Sequence, residues 1–257
     1  MIAAPGAKMP VLEVCVDCVE SALAAQDGGA DRVELCDNLF EGGTTPSAGS
    51  IQLAGERLRI KLHVIIRPRG GDFLYSDLEF AIMQRDIETA KGLGVDGVVI
   101  GLLTADGDID VQRTRQLVKV ARPMSVTFHR AFDVAREPFE ALETLIGLGI
   151  DRLLTSGQEE SVTDGAELIA ELVDRARDRL IIMPGGGFSE RNVGRIVAQT
   201  RAREIHVTGF AGVESGMRYR NSRVFMGGKL RPPEYQRAVT QAAIIQTLRR
   251  NCSDNRL

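Results

Sequence analysis

The chain reads as a single-domain α/β protein, a closed (β/α)8 barrel, on three observations. Eight short apolar runs alternate with eight helical patterns along 257 residues, and regular alternation of strand and helix builds a parallel sheet. A segment recurs: Gly28-Gly29-Ala30-Asp31-Arg32-Val33-Glu34-Leu35 resembles Gly92-Leu93-Gly94-Val95-Asp96-Gly97-Val98-Val99 and Gly147-Leu148-Gly149-Ile150-Asp151-Arg152-Leu153-Leu154. Each copy reads as helix, glycine stop, short loop, strand. The aspartates lie 65 and 55 residues apart, room for two βα units, so the copies fall on even-numbered strands. Third, the strands are apolar on one face and polar or ionisable on the other. Inward ionisable groups are costly unless paired or used, and such strands suit a closed barrel with a site inside it. A doubly wound open sheet also alternates strand and helix; the repeated pairs favour closure.

The first strand, 11–16, sets Leu12, Val14 and Val16 against Glu13 and Cys15, because strand side chains alternate. Helix 18–27 follows, with Asp17-Cys18-Val19-Glu20 in capping-box form. Strand 32–36 sets Val33 and Leu35 against Glu34 and Cys36, and helix 47–58 comes next. Strand 61–67 alternates Leu62, Val64 and Ile66 with His63 and ends on Arg67. Ser76-Asp77-Leu78-Glu79 is a second capping box, opening helix 77–92. Strand 96–101, helix 110–121 and strand 124–129 follow, the last with Val126 and Phe128 on its apolar face and His129 at its end. Helix 138–147, strand 152–155, helix 162–176 and strand 180–184 lead to helix 190–199, opened by Ser189. Strand 204–208 carries His206, and helix 236–249 completes the set. Residues 1–10 read as a loose N-terminal tail and 11–250 as the barrel. The connection 208–235 is the longest, and loops of that length are commonly functional; its aromatic, Met and Arg residues suit a lid or a subunit contact.

Composition narrows the function classes. Hydrophobic residues make up 44% of the chain, enough for a full core, and net charge is −3. No element carries a basic stripe, which argues against nucleic acid as a partner. No apolar run approaches the ~18 residues of a membrane span, and the N-terminus lacks a signal-peptide core. Four cysteines do not make a disulfide framework in a chain this long, so reduced thiols in the cytoplasm are expected. None of the five lysines ends a strand, which removes Schiff-base aldol chemistry. No nucleophile elbow occurs, which removes a Ser-His-Asp hydrolase.

Barrels of this kind build their sites at the C-terminal ends of the strands, and the polar loops lie there. Asn38 follows the second strand, Arg67 the third, Arg130 and Asp133 the fifth, Ser156 the sixth, and Gly185-Gly186-Gly187 the seventh. Glu13, Glu34 and His129 are the candidate proton-moving groups, carboxylates with an imidazole. Asn38, Arg67, Arg130, Asp133, Ser156, Gly186 and Gly187 are the candidate contacts to a small anionic ligand, with arginine forks and glycine amides taking a carboxylate or phosphate. The corresponding activity is a lyase or isomerase. A buried ion-pair network that only shapes the barrel interior uses the same residues.

The loops also resemble the CutC family, over about residues 11 to 245. The segments that carry the resemblance are Glu34-Leu-Cys-Asp-Asn-Leu-Phe-Glu-Gly-Gly-Thr-Thr-Pro-Ser47, Ile66-Arg-Pro-Arg-Gly-Gly-Asp-Phe73, Thr127-Phe-His-Arg-Ala-Phe-Asp133, Leu154-Thr-Ser-Gly-Gln158, Met183-Pro-Gly-Gly-Gly187 and Arg220-Asn221. The resemblance implies a TIM barrel, a cytoplasmic homo-oligomer (dimer or tetramer), and a role in copper homeostasis. It also implies Cys15 and Cys36 as a Cu(I) pair, since soft thiolates suit Cu(I) and two can bind it linearly. The plain reading of both is small buried hydrophobes. Cys15-Val16-Asp17-Cys18 has C-x-x-C form, but no second pair completes a zinc site.

Overall fold

The computed structural model describes residues 9–224 and 236–252. Eight parallel strands form the wall: β1 (Val11–Val16), β2 (Arg32–Leu35), β3 (Lys61–Ile65), β4 (Gly97–Ile100), β5 (Ser125–Phe128), β6 (Arg152–Thr155), β7 (Ile181–Pro184) and β8 (Glu204–Val207). The helices are α1 (Val19–Asp27), α2 (Ala48–Arg57), α3 (Asp77–Gly92), α4 (Val111–Ala121), α5 (Pro138–Gly147), α6 (Ala166–Ala176), α7 (Val193–Thr200) and α8 (Ala242–Asn251). The strands pair in the order β8-β1-β2-β3-β4-β5-β6-β7. A parallel bridge between Gly185 and His206 joins β7 to β8, so the barrel is nearly closed.

Strand parity divides the molecule into two interiors. Leu12, Val14, Val33, Leu35, Leu62, Val64, Val126 and Phe128 face outward and pack with helix residues such as Ala22, Ile51, Met83 and Leu117 in one apolar cluster. Each large side chain buried this way contributes roughly 1.5–3 kcal/mol. The opposite parity carries Glu13, Glu34, His63, Arg67 and His129, all buried. Register fixes their company. Glu13 is level with Arg32 of β2 and His206 of β8, and Glu34 with Cys15 and His63. A one-residue slip would exchange the two faces.

The repeat has a structural meaning. Asp31, Asp96 and Asp151 lead β2, β4 and β6, the even strands, as expected. Each carboxylate accepts a backbone N–H near the start of the preceding strand: Leu12 at 2.8 Å, Leu62 at 2.9 Å and Val126 at 2.7 Å. Each also meets a cation, respectively Arg249, Lys61 and Arg122. One aspartate therefore ties two strands, satisfying an amide at the edge of the ladder.

Several element ends differ from the sequence reading. Ser76 and Glu79 form the full reciprocal cap of α3, but α1 is entered through Cys18, with no side-chain bond to its free amides. The turn Ser161–Gly165 delays α6 to Ala166, since the Gly165 amide closes back on the Ser161 carbonyl. Ser189 does not cap α7 with its side chain. Its carbonyl accepts from the amides of Asn192 and Val193, and Asn192 Oδ1 accepts from the Ser189 amide at 2.8 Å. The last expected helix splits. Gln236–Thr240 is a strand, β10, antiparallel to β9 (Phe210–Glu214), and only Ala242–Asn251 is helical. Val239 and Thr240 are β-branched and suit a strand, and the Thr240 amide is tied to Ser21 Oγ at 3.0 Å. The connection expected to be a lid or contact thus contains β9, and its residues 225–235 lie outside the described residues. So does the expected tail apart from Met9, which is exposed, and Pro10, which is buried.

Candidate functional site

The inward side chains collect into three groups. The first is centred on His206. Its Nδ1 stands 2.7 Å from Glu13 Oε1, and its Nε2 stands 3.6 Å from Glu34 Oε2. Glu34 is level with Cys15 across the ladder, and Cys15 Sγ lies 3.7 Å from Cys36 Sγ. One ligand atom from each of Cys15, Glu34 and Cys36 fits within 4.8 Å, and so does one from each of Glu13, Glu34 and His206. The thiols are walled by Ile65, Val99 and Leu39. Soft donors thus sit in an apolar pocket, with carboxylates and an imidazole on one side.

Charge is unevenly shared in this group. Hydrogen bonding from Cys36 is the largest influence on Cys15 and, against burial, brings its thiol down to about 6. The same bond, reinforced by burial, pushes Cys36 well up. The bond between the two sulfurs thus favours the ionised form at Cys15 and the protonated form at Cys36. Burial and the neighbouring Cys15 raise Glu34 well above the carboxylate range. For Glu13 burial acts the same way, but the Arg32 guanidinium, the His206 bond and the His63 ring outweigh it and hold the carboxyl well below that range. Burial would lower His206, yet its bonds to Cys15 and Glu13 and the nearby carboxylates raise it well above an ordinary imidazole. Burial lowers His63 to about 4.

The second group surrounds Arg67. Its Nη1 donates to the carbonyls of Glu41 (2.8 Å) and Gly43 (2.7 Å), and its Nη2 to that of Gly71 (2.9 Å). The guanidinium therefore pins the loops after β2 and β3 together and lies over Phe73. His129 Nδ1 accepts from the Ala131 amide at 3.1 Å, and the ring meets Phe73 at 5.0 Å. Burial, then Arg67, lowers His129 to about 3, so it is neutral. Arg67 Nε and His129 Nε2 are buried without a hydrogen-bond partner. Asn38 is exposed and bonds Thr44 Oγ1 at 3.0 Å, shaping the loop after β2.

The third group is on the rim. Asp133 accepts from Arg130 Nε at 2.7 Å, from the Ser156 amide and hydroxyl, and from the Gln158 amide. Arg130 Nη2 also donates to Ser156 Oγ at 2.6 Å. Gly186 has φ +105° and Gly187 +83°, and a Cβ on Gly186 would lie 3.1 Å from Arg130 Nη1. Gly186 and Gly187 thus turn the chain in a conformation that glycine adopts without strain and let it pass close to Arg130. Of the candidate proton-moving groups, Glu13 and Glu34 converge on His206, while His129 is held with Arg67 against Phe73.

Residues overlooked in the sequence complete the floor. Arg32 Nε donates to Glu13, and its Nη2 donates to Glu204 Oε2 at 2.6 Å. Arg152 Nε donates to the same Glu204 oxygen at 2.6 Å. All are nearly buried. The signal was present: Arg32 and Arg152 follow the repeat aspartates, and Glu204 shares parity with His206. Gly97 at the start of β4 and Gly101 just past its end make room for imidazoles. A Cβ at Gly97 would lie 2.5 Å from His63 Nε2, and one at Gly101 would lie 2.2 Å from His129 Cε1.

Fold and site define a (β/α)8 barrel protein with a buried thiol, imidazole and carboxylate cluster on its inner wall. The chain belongs to the CutC family, whose model matches residues 10–211. A family protein CutC of Chromobacterium violaceum is 54% identical over 93% of this chain and 96% of its own. The human copper homeostasis protein cutC homolog is 50% identical over 93% of this chain and 87% of its own. The crystal structure of CutC from Streptococcus agalactiae superposes with a TM-score of 0.75 at 37% identity, covering 77% of this chain and 98% of that one. A phosphoribosylanthranilate isomerase from Thermotoga maritima reaches a TM-score of 0.56 at 14% identity, over 95% and 98% of the two chains, a likeness of fold alone.

Proposed function

We propose that the chain acts in copper homeostasis and takes one Cu(I) ion as cargo between Cys15 and Cys36. The observation that carries this reading is the buried sulfur pair at 3.7 Å, whose mutual bond lowers the Cys15 thiol. Cu(I) prefers thiolate sulfur over oxygen ligands, and the apolar walls of Ile65 and Val99 suit a weakly hydrated soft ion. The mammalian relatives carry copper homeostasis in their names, which supports the same assignment. A cytoplasmic setting belongs to the reading because the thiols must stay reduced. No helix among the described residues is long and apolar enough to cross a membrane. A homo-oligomer, dimer or tetramer, also belongs to it, favoured by the exposed Met217, Tyr219 and Val224 beyond β9. The isomerase or lyase reading has less support. Arg67, its intended anion fork, spends its terminal nitrogens on three carbonyls, and His129 bonds away from Glu13 and Glu34.

Titration of the reduced protein with Cu(I) against a colorimetric chelator tests the proposal. One site per subunit is expected, lost in Cys36→Ser. Affinity unchanged by that substitution would overturn it.

A further inference from the structure

We propose that Cys15, Cys36 and Glu34 together form a site for a thiophilic divalent cation of the Zn(II) class, with the Glu34 carboxylate as the third ligand beside the two sulfurs. The inference goes beyond the copper reading. It shares the thiols and adds a donor that Cu(I) does not require. One ligand atom from each of the three residues lies within 4.8 Å of the other two. Sulfurs 3.7 Å apart subtend an angle of about 107° at a metal held by bonds of ~2.3 Å, close to the tetrahedral angle that Zn(II) adopts. With a zinc–carboxylate bond of ~2.0 Å, a tetrahedral ion also needs an oxygen ~3.5 Å from each sulfur. The 4.8 Å bound on the group exceeds that separation by at most ~1.3 Å, a small adjustment at the end of a glutamate side chain. Among the described residues no fourth donor joins this set, which leaves one position for water, as in zinc sites with three protein ligands.

Glu34 is free for this role. It is level with Cys15 across the β1–β2 ladder and is 3% exposed. Its Oε2 stands 3.6 Å from His206 Nε2, while its Oε1 is buried with no hydrogen-bond partner. A buried acceptor without a partner carries a desolvation cost that nothing offsets, and a cation at the thiols would offset it. Carboxylates that bind a metal are themselves held by an outer partner, and the His206 ring on the Oε2 side is placed to be that partner. The neighbouring set of Glu13, Glu34 and His206 is a poorer cradle. Glu13 and His206 are bound to each other at 2.7 Å, and Arg32 already holds the Glu13 carboxylate, so a cation there would meet a guanidinium. The donor set also separates the two metals. Zn(II) accepts sulfur and carboxylate oxygen together, whereas Cu(I) takes the soft sulfurs and gains little from a hard oxygen. Glu34 is therefore the residue that fits the thiol pair for a divalent ion. Binding releases to solvent the protons held by the thiols and the carboxyl; no electron is transferred.

The test titrates the reduced, metal-free, full-length chain with Zn(II) against a chromophoric chelator, and with Cu(I) in a parallel series. One Zn(II) per subunit is expected, with two sulfurs and an oxygen shell in the X-ray absorption of the loaded wild type. Glu34→Gln keeps the shape and removes the charge. It should weaken Zn(II) by ~100-fold or more, since a direct ligand outweighs the ~10–100-fold typical of an outer partner, and it should leave Cu(I) affinity nearly unchanged. Co(II) in place of Zn(II) gives a visible spectrum of the tetrahedral type, which should shift in Glu34→Gln. Circular dichroism melts check that the variant folds, and the wild-type absorption shells test the ligand set without it. A sulfur-only shell in the wild type, or Zn(II) affinity and Co(II) spectrum unaltered in Glu34→Gln, overturns Glu34 as a ligand. Cu(I) binding with no Zn(II) binding overturns this inference and leaves the copper reading standing. Zn(II) binding with no Cu(I) binding supports it and overturns the copper reading.

Discussion

Replacing Glu204 by glutamine removes one negative charge from the floor of the barrel while keeping its volume. Glu13, Arg32, Glu204 and Arg152 sum to zero charge, and the substitution leaves one uncompensated guanidinium where every member is nearly buried. Glu204 Oε2 accepts from Arg32 at 2.6 Å and from Arg152 at 2.6 Å, and Oε1 accepts from Arg152 at 3.2 Å. Charge-assisted bonds contribute ~1.5–3 kcal/mol each and neutral ones ~0.5–1.5. Weakening the two short bonds therefore costs about 2–3 kcal/mol, and breaking a buried pair costs ~3–5 as a whole. We expect a loss of about 3 kcal/mol in urea unfolding followed by circular dichroism at neutral pH. Adding Arg152→Met restores charge balance and leaves Glu13 with Arg32, so the double variant should lose less than the two single losses added together. A loss under ~1 kcal/mol in Glu204→Gln, or strict additivity in the double variant, would refute the ion chain as a coupled unit.

Two further outcomes follow from the inner wall. Gly101→Ala should destabilise the fold by ~1–3 kcal/mol through overpacking, because the new methyl would lie 2.2 Å from the His129 ring; thermal melts should show the cost largely removed in a His129→Ala background, and an equal cost in both would contradict the contact. Stability should fall as pH drops from 6.5 toward 4, because the folded protein holds His129 at about 3 and His63 at about 4, below the ordinary 6.5, so the unfolded chain binds the extra protons. The slope is at most ~1.4 kcal/mol per pH unit for each histidine; His206, shifted upward, works in the opposite sense. Melting temperatures from pH 8 to 5 should fall less steeply in His129→Gln, and an unchanged slope would count against the buried neutral imidazole.

The sequence alone determined the barrel and the face each strand turns inward. Periodicity of two placed Glu13, Cys15, Glu34, Cys36, His129 and His206 inside, and the recurring aspartates placed the even strands. Those signals are local: alternation and helix stops act over a few residues, and a carboxylate leading a strand meets its amide in the neighbouring element. Only the tertiary structure decided which inward groups meet. Register set Glu13 against Arg32 and His206 and brought Cys36 to Cys15, separations of 19 to 193 residues that no pattern within one strand encodes. The same holds for Arg67, whose position at a strand end pointed to a ligand but whose guanidinium is taken by the carbonyls of two loops. The split of 236–249 into β10 and α8 was likewise settled by a partner strand, since a short segment takes the conformation that satisfies its backbone in place.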